Sequence, residues 1–227
     1  MKRSEINRLI AAAKEFFAEQ RFLLPPFAFW TAHDWQMRGP EADEIRLNKL
    51  GWDLTDFGSG NFSRNGLVLF TIRNGNLKDP TSVKTYSEKI MIVEESQVTP
   101  FHFHWQKTED IINRGGGDLV VELYQSDKHE RFTSETIRVR CDGVLRTVKA
   151  GGSVVLKPGE SITLVQRLYH KLYGQPGTGR VLVGEVSSVN DDAGDNRFAD
   201  PVGRLPQIEE DAAPIHFLCH EYPAASM

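Results

Sequence analysis

The sequence predicts a mostly β fold, a sandwich, jelly roll or barrel, preceded by a short helical extension. After Gly51, short apolar or alternating runs are separated by turn signals at a spacing of roughly 8 to 12 residues. No helix-length periodic segment interrupts these runs, so a parallel sheet of βαβ units is not expected. Before Gly51, apolar residues recur instead at the three- and four-residue steps of an amphipathic helix.

The helical extension is predicted over residues 1–50. The apolar residues of its first helix share one face: Ile6, Leu9, Ile10, Ala13, Phe16 and Phe17. Shorter helices are predicted over 31–37, with Thr31 as the N-cap, and over 41–50. We expect the extension to pack on a barrel formed by residues 51–227, in a single structural domain.

The strands predicted for the barrel are short and regularly spaced. They cover residues 67–73, 84–94, 99–105, 118–125, 137–140, 145–148, 153–156, 161–165, 169–173 and 180–187. From Asn190 onward, the tail is acidic and loop-like. Because an exposed sheet edge is a template for pairing between chains, a homodimer is the expected assembly.

Composition excludes several classes of partner. The net charge is −4 and no basic block occurs, so nucleic acid is not an expected partner. No apolar stretch approaches the roughly 20 residues of a membrane span, so no membrane association is expected. The N-terminus has no export signal, which predicts a cytoplasmic protein. Its two cysteines, Cys141 and Cys219, are therefore expected to be free thiols.

The motif that carries chemistry is a pair of histidines on one predicted strand. His102 and His104 are two residues apart, so their imidazoles share one face of the strand 99–105. A turn at Gln106-Lys107 then reverses the chain, and we expect Glu109 to return beside the histidines on the adjacent strand. His170, on a later strand, is the best candidate for a fourth ligand. Three imidazoles and one carboxylate form a site for a divalent metal ion.

Two segments resemble the motifs of the cupin family. The run PFHFHWQKTEDIINRGG resembles the first cupin motif, G(x)5HxH(x)3-4E(x)6G, without its leading glycine. The run GGSVVLKPGES followed by His170 resembles the second motif, although His170 lies farther from the Pro-Gly turn than usual. The resemblance implies a cupin double-stranded β-helix, or jelly-roll barrel. It also implies that His102, His104, Glu109 and His170 hold the metal.

Longer runs are similar to the D-lyxose isomerase family of cupin sugar isomerases. These runs are residues 89–124, residues 182–198 and GRLPQIEED at 203–211, and the similarity extends over essentially the whole chain. Membership would imply a Mn²⁺-dependent aldose–ketose isomerase of carbohydrate metabolism. It would interconvert D-lyxose with D-xylulose and D-mannose with D-fructose. The same ligands also accept Co²⁺, Fe²⁺, Ni²⁺ or Zn²⁺.

Isomerisation through a metal-stabilised cis-enediol needs a base near C1 and C2 of the sugar. Glu185 is the first candidate, because it shares a strand face with Val181 and Val183, and desolvation would raise the pKa of its carboxyl. The alternative for Glu185 is a structural pairing with a buried cation. Lys107 is a second candidate, either binding a substrate hydroxyl or shuttling a proton. Its alternative is a solvated lysine in a turn.

The acidic loop after the last strand is predicted to cap the mouth of the barrel. Asp191, Asp195 and Arg197 are its candidates for hydrogen bonds to a polyol substrate. The alternative is an ordinary acidic surface loop.

Other functions are compatible with the same ligand set. An Fe²⁺-dependent cupin dioxygenase would differ by consuming oxygen. A non-enzymatic sugar-binding or regulatory cupin would need no acid–base residue beside the metal. A phosphosugar isomerase is disfavoured, because no cluster of lysines and arginines lies near the motifs.

Overall fold

A computed structural model describes residues 1–203 and 205–225, and it is built from two antiparallel sheets. Their strands are β1 (Gly51–Thr55), β2 (Leu67–Arg73), β3 (Tyr86–Val93), β4 (Thr99–His104), β5 (Glu109–Gly116), β6 (Leu119–Gln125), β7 (Ile137–Cys141), β8 (Val144–Val148), β9 (Ser153–Leu156), β10 (Ser161–Leu164), β11 (Leu168–Gly174), β12 (Val181–Ser188) and β13 (Asn196–Phe198). The eight-stranded sheet has the order β1-β2-β3-β12-β5-β10-β7-β8, and the five-stranded sheet has the order β13-β4-β11-β6-β9. The predicted mostly β class is confirmed.

Helices precede the sheets, as predicted. The helices are α1 (Arg3–Glu19), α2 (Ala32–Gln36) and α3 (Asp43–Leu47), with 3₁₀ turns at Pro26–Phe29 and Pro40–Ala42. Thr31 is the N-cap of α2: its hydroxyl accepts the N–H of Asp34 at 3.2 Å, and Asp34 accepts the N–H of Thr31 at 2.8 Å. This reciprocal capping confirms the start predicted for that helix.

The part of the eight-stranded sheet around β12 is apolar on both faces, because it separates two cores. Val181 and Val183 of β12 face the space between the sheets, whereas Leu182 faces outward. Ile10 and Phe17 of α1 pack against that outward face. The alternation along β12 therefore places the helical extension on one side of the sheet and the barrel interior on the other. The domain division at residue 50 stays a prediction.

The C-terminal tail is tied to both α1 and the edge strand β1. Arg3 donates to the carboxylates of Glu210 at 2.7 Å and Glu221 at 2.5 Å. The backbone N–H of Cys219 donates to the carbonyl of Trp52 at 2.7 Å. The tail thus covers the edge strand of the larger sheet, which leaves β1 less available for pairing with another chain.

One predicted neighbour relation is wrong. Glu109 was expected on the strand adjacent to the histidines, but β4 belongs to the five-stranded sheet and β5 to the eight-stranded sheet. The short connection at residues 105–108 crosses from one sheet to the other instead of forming a hairpin. Glu109 consequently faces His104 across the barrel interior.

Two compositional expectations can also be compared with the structure. Cys141 and Cys219 are buried and are not joined in a disulfide, as expected. Among the helices in the described ranges 1–203 and 205–225, none has the length and apolarity required to cross a bilayer.

Candidate active site

A cavity between the two sheets contains the predicted histidines. Its volume is about 90 Å³, which is room for several water-sized groups. Its polar lining is formed by Asp53, Thr55, Lys89, Thr99, His102, His104, Lys107, Glu109, His170, Glu185, Asp192 and Asn196. Phe57 and Phe198 form an apolar wall beside these groups, and the Phe198 ring stacks on His102 with centroids 5.3 Å apart.

Three imidazoles converge from two neighbouring strands of the five-stranded sheet. His102 of β4 is the register partner of His170 of β11. His104 is two residues later on β4, so its side chain lies on the same face of the strand. Ligand nitrogens of the three rings all lie within 4.8 Å of one another. The structure therefore brings together the histidine pair and the distant His170 that the sequence suggested.

Backbone carbonyls orient two of these rings. Nδ1 of His102 lies 2.8 Å from the carbonyl oxygen of Pro100, and Nδ1 of His170 lies 2.9 Å from that of Leu168. A carbonyl only accepts hydrogen bonds, so both Nδ1 atoms carry a hydrogen, and the Nε2 atom of each ring presents a lone pair when the ring is neutral. These two Nε2 atoms face each other at 3.0 Å. Within the described part of the chain, neither ring nitrogen of buried His104 has a hydrogen-bond partner.

This arrangement fits a metal ion. Two facing lone pairs repel unless a proton or cation lies between them, and protonation of His102 is disfavoured here. Burial, reinforced by the neighbouring imidazoles, lowers the pKa of His102 well below its usual value. Burial also lowers the pKa of His104, despite the opposing charge of Glu109. Neutral imidazoles oriented through Nδ1 are the form that binds metals, so the buried histidine group can bind a metal ion.

Glu109 completes the cluster from the opposite sheet. Its carboxylate oxygens lie 3.1 Å from Nε2 of His170 and 3.4 Å from Nε2 of His104. Lys107 Nζ lies 2.7 Å from the same carboxylate. Burial alone would raise the pKa of Glu109, but Lys107 and His104 outweigh it and hold this pKa well below its usual value. The carboxylate is consequently ionised and available as a ligand.

Glu185 lies in the cavity, but its electrostatics differ from the prediction. Its Oε1 lies 2.8 Å from Lys107 Nζ and 3.4 Å from Lys89 Nζ. Burial raises the pKa of Glu185, as expected, yet the two ammonium groups reverse the shift and the net pKa is lowered. The expectation of a raised pKa is therefore wrong, and the alternative considered for Glu185, pairing with a buried cation, is present in the structure.

Lys107 lies in the connection between β4 and β5 and is nevertheless 3% exposed. It bridges Glu109 and Glu185, and those two carboxylates outweigh the effect of burial and raise its pKa. Lys107 is therefore a buried, permanently charged hydrogen-bond donor rather than a solvated turn residue.

Lys89 was missed in the sequence. It is buried on β3, directly opposite Glu185 of β12, and donates to the Asn190 side chain at 2.7 Å. Strand parity was the available signal, because Lys89 shares its face with Met91 and Val93, which pack in the barrel interior. A lysine on an inward face needs a partner, and Glu185 provides it.

The predicted substrate-binding residues of the loop lie elsewhere. Both carboxylate oxygens of Asp195 accept backbone N–H groups, from Gln106 at 2.7 Å and from Lys107 at 2.9 Å. Asp191 caps its own turn and does not line the cavity. Arg197 faces outward with Phe103 on the paired strand and forms an ion pair with Glu130 at 2.5 Å. Substrate contacts by Asp191, Asp195 and Arg197 stay predictions that this geometry does not favour.

Comparison with known proteins agrees with the site. The family model described as D-lyxose isomerase matches residues 1–222. The chain belongs to the D-lyxose isomerase family.

Family relatives cover nearly the same length. A D-lyxose/D-mannose isomerase of Serratia proteamaculans is 50% identical over 224 residues, and one of Escherichia coli O157:H7 is 49% identical over 223 residues; each match covers 98% of both chains. The structure of Cellulomonas parahominis L-ribose isomerase with L-ribose is similar in fold, with a TM-score of 0.60 at 18% identity. That similarity covers 92% of this chain and 98% of the other.

These findings confirm the predicted cupin-type barrel and the prediction of an aldose–ketose isomerase. The dioxygenase alternative receives no support from them, and neither does a non-enzymatic sugar-binding cupin.

Proposed function

We propose that this member of the D-lyxose isomerase family interconverts D-lyxose with D-xylulose and D-mannose with D-fructose. The relatives at about half identity bear both aldose names. The observation that carries the proposal is the convergence of three imidazoles and one carboxylate in a buried cavity.

The metal in this proposal is Mn²⁺, held by His102, His104, His170 and Glu109. A mixed set of imidazoles and one carboxylate suits manganese, although Co²⁺, Fe²⁺, Ni²⁺ and Zn²⁺ accept the same donors. A bound divalent ion would supply Lewis-acid polarisation of the sugar carbonyl. Four protein donors leave open positions in a six-coordinate shell for substrate oxygens.

Glu185 is the proposed base. Its lowered pKa keeps it ionised near neutral pH, which is the form that accepts a proton from carbon. A weakly basic carboxylate also releases that proton readily. Isomerisation through a cis-enediol requires both events, because the proton taken from C2 of the aldose is delivered to C1.

Lys107 and Lys89 are proposed to hold substrate oxygens and to position Glu185. Lys107 keeps its proton because Glu109 and Glu185 raise its pKa, so it acts as a charged hydrogen-bond donor rather than as a proton shuttle. Negative charge that develops on the sugar oxygens would be stabilised by such donors in a dry cavity.

Stereochemistry defines the substrates for a test. D-lyxose, D-mannose and L-ribose share the configuration at C2 and C3, whereas D-xylose and D-glucose are inverted at C2 relative to D-lyxose and D-mannose. A base fixed on one side of the cavity removes the proton from one face of C2. We therefore expect conversion of the first group and not of the C2 epimers.

The decisive experiment adds Mn²⁺ to chelator-stripped protein and follows the sugars by NMR. Ketose formation from D-lyxose and D-mannose under anaerobic conditions is the expected result, with deuterium from D₂O at C1 of the ketose. Retention of the C2 hydrogen would contradict proton transfer and indicate a hydride shift. If no aldose is converted with any of the five ions, the isomerase proposal fails.

Two further expectations accompany this proposal. A homodimer and a cytoplasmic location were predicted from the sequence, and both remain predictions. Sedimentation equilibrium of the full chain tests the first, and fractionation of the native cells tests the second.

A further inference from the structure

A second group of metal-ligating side chains lies at the edge of the eight-stranded sheet. Asp53, Cys219 and His220 each offer one ligand atom, and these atoms lie within 4.8 Å of one another. Asp53 and Cys219 are buried, whereas His220 is exposed. Cys219 and His220 do not line the cavity of the histidine cluster.

Backbone contacts hold these residues in place. The N–H of Cys219 donates to the carbonyl of Trp52, the residue before Asp53, at 2.7 Å. The tail is fixed on both sides of Cys219, by fully buried Leu218 and by the Tyr222 hydroxyl, which donates to the carbonyl of Leu50 at 2.9 Å. The three side chains are consequently preorganised by a tight turn against a strand.

The surroundings of the group suit a cation. A cavity of about 210 Å³ is lined by Asp53 and Cys219 together with Asn74, Asn190 and Asp191, and it gives access from solvent. Three carboxylates, those of Asp53, Asp191 and Asp192, line this cavity against two lysines, Lys49 and Lys78, so the formal charge of its lining is negative.

We propose that Asp53, Cys219 and His220 form a second metal site, of the zinc class, that fastens the C-terminal tail to β1. A sulfur, an imidazole nitrogen and a carboxylate oxygen are donors that zinc prefers, and three protein ligands leave a fourth tetrahedral position for water. Binding releases the thiol proton to solvent. The histidine cluster contains no sulfur ligand. Its donors are therefore harder than the thiolate of the second site, and the two sites should prefer different metal ions.

Cobalt titration of the full-length, chelator-stripped protein tests this site. Co²⁺ bound to a thiolate gives a sulfur-to-metal charge-transfer band in the near ultraviolet, which the histidine cluster cannot produce. We expect this band in the wild type and its loss when Zn²⁺ is added in competition. Bound Co²⁺, measured by elemental analysis, should reach about two ions per chain.

Matched variants assign the band. Cys219→Ser should abolish it and lower bound Co²⁺ from about two ions to about one. His220 is exposed and can be replaced without disturbing a core. His220→Gln should therefore lower the affinity of the second site for Co²⁺ by about 10- to 100-fold. Cys141→Ser and His104→Gln should both retain the band.

Several outcomes would overturn the inference. They are absence of the band from the wild type, its persistence in Cys219→Ser, and its loss in Cys141→Ser with retention in Cys219→Ser. Isomerase activity plays no part in this readout, so failure of the second site leaves the proposed function standing, and the reverse also holds.

Discussion

The two walls of the candidate active-site cavity accommodate buried polar groups differently. The five-stranded sheet contributes His102, His104 and His170, and burial lowers the pKa of His102 and of His104. The opposite wall consists of two carboxylates and two ammonium groups. The eight-stranded sheet contributes Lys89, Glu109 and Glu185, and the connection before β5 contributes Lys107. We refer to these as the imidazole wall and the charged wall.

The difference shows which wall is complete without a ligand. On the charged wall every ionised group has a counter-charge within 3.4 Å, which is what a buried charge requires. On the imidazole wall two lone pairs face each other at 3.0 Å and His104 lacks a hydrogen-bond partner in the described residues. The imidazole wall therefore fits a cation, whereas the charges on the other wall are balanced by its own residues.

Glu185→Gln gives the largest expected effect, because it removes the proposed base and leaves the imidazole wall intact. We expect kcat for D-lyxose to fall by about 10²- to 10⁴-fold, with Mn²⁺ affinity nearly unchanged. Steady-state kinetics and metal titration measure the two quantities. Glu122→Gln is the control, because Glu122 pairs with Lys171 in a partly exposed position. A Glu185 variant that retains full turnover would assign the base elsewhere.

Lys89→Met should unbalance the charged wall. Removing one partner from a buried ion cluster costs about 3–5 kcal/mol of unfolding free energy. Lys89 also lowers the pKa of Glu185, so its removal raises that pKa and moves the acidic limb of the kcat/KM profile to higher pH. Urea unfolding and a pH–rate profile measure these changes. Lys171→Met, in its partly exposed pair, should cost about 1 kcal/mol or less. An unmoved acidic limb would contradict the coupling.

In the metal-free protein, the two walls should lose their contributions to the free energy of unfolding over different pH ranges. His102 and His104 have lowered pKa values when folded, so below pH 6.5 the unfolded chain binds protons that the folded chain does not, and stability falls. Glu109 and Glu185 also have lowered pKa values in the folded protein. Their contribution to stability is fully present above pH 4.5 and is lost only as the pH falls through the pKa values of the folded state.

Between pH 7.5 and 5.5 the imidazole wall should therefore dominate the slope, at up to about 1.4 kcal/mol per pH unit for each histidine. Urea unfolding of chelator-stripped protein measures this slope. His104→Gln should flatten it, whereas replacement of exposed His33 is the matched control. A slope that is unchanged in His104→Gln would show that this wall is not the source.

Arg197→Ala gives the smallest expected effect. Arg197 lies on the outer side of the imidazole wall, where it pairs with Glu130 and is 39% exposed. Loss of the pair should cost about 0–1 kcal/mol, and KM for D-lyxose should stay unchanged. A clear rise in KM with unchanged stability would restore the substrate-binding role that the sequence suggested.

Local patterns predicted much of the fold and one wall of the site. The spacing of His102 and His104 determines a shared strand face, and strand boundaries such as 153–156 follow from turn residues on both sides. Two strands, β1 and β13, were not predicted, and β5 was predicted only as the strand that carries Glu109, without bounds. β13 is three residues long inside an acidic loop, so no periodicity marks it.

The charged wall was predicted less well because it depends on pairing between distant strands. Glu185 and Lys107 were candidates from their positions, but the pKa of Glu185 is lowered by Lys107 together with Lys89. Lys89 is 96 residues earlier in the chain and becomes the register partner of Glu185 only in the folded sheet. Likewise, the outward direction of Arg197 follows from its pairing with Phe103. Neither fact is visible in a local segment.

The crossing of residues 105–108 from one sheet to the other has a consequence for folding kinetics. His104 and Glu109 are close in sequence, yet they meet only after the two sheets have closed over the interior. An open intermediate with both sheets formed would hold the three histidines on one sheet and Glu109 on the other. Full affinity for the ion would therefore develop only after the sheets had closed. We therefore expect a bound divalent ion to slow unfolding far more than it speeds refolding, because the four protein ligands come together only when the two sheets have closed.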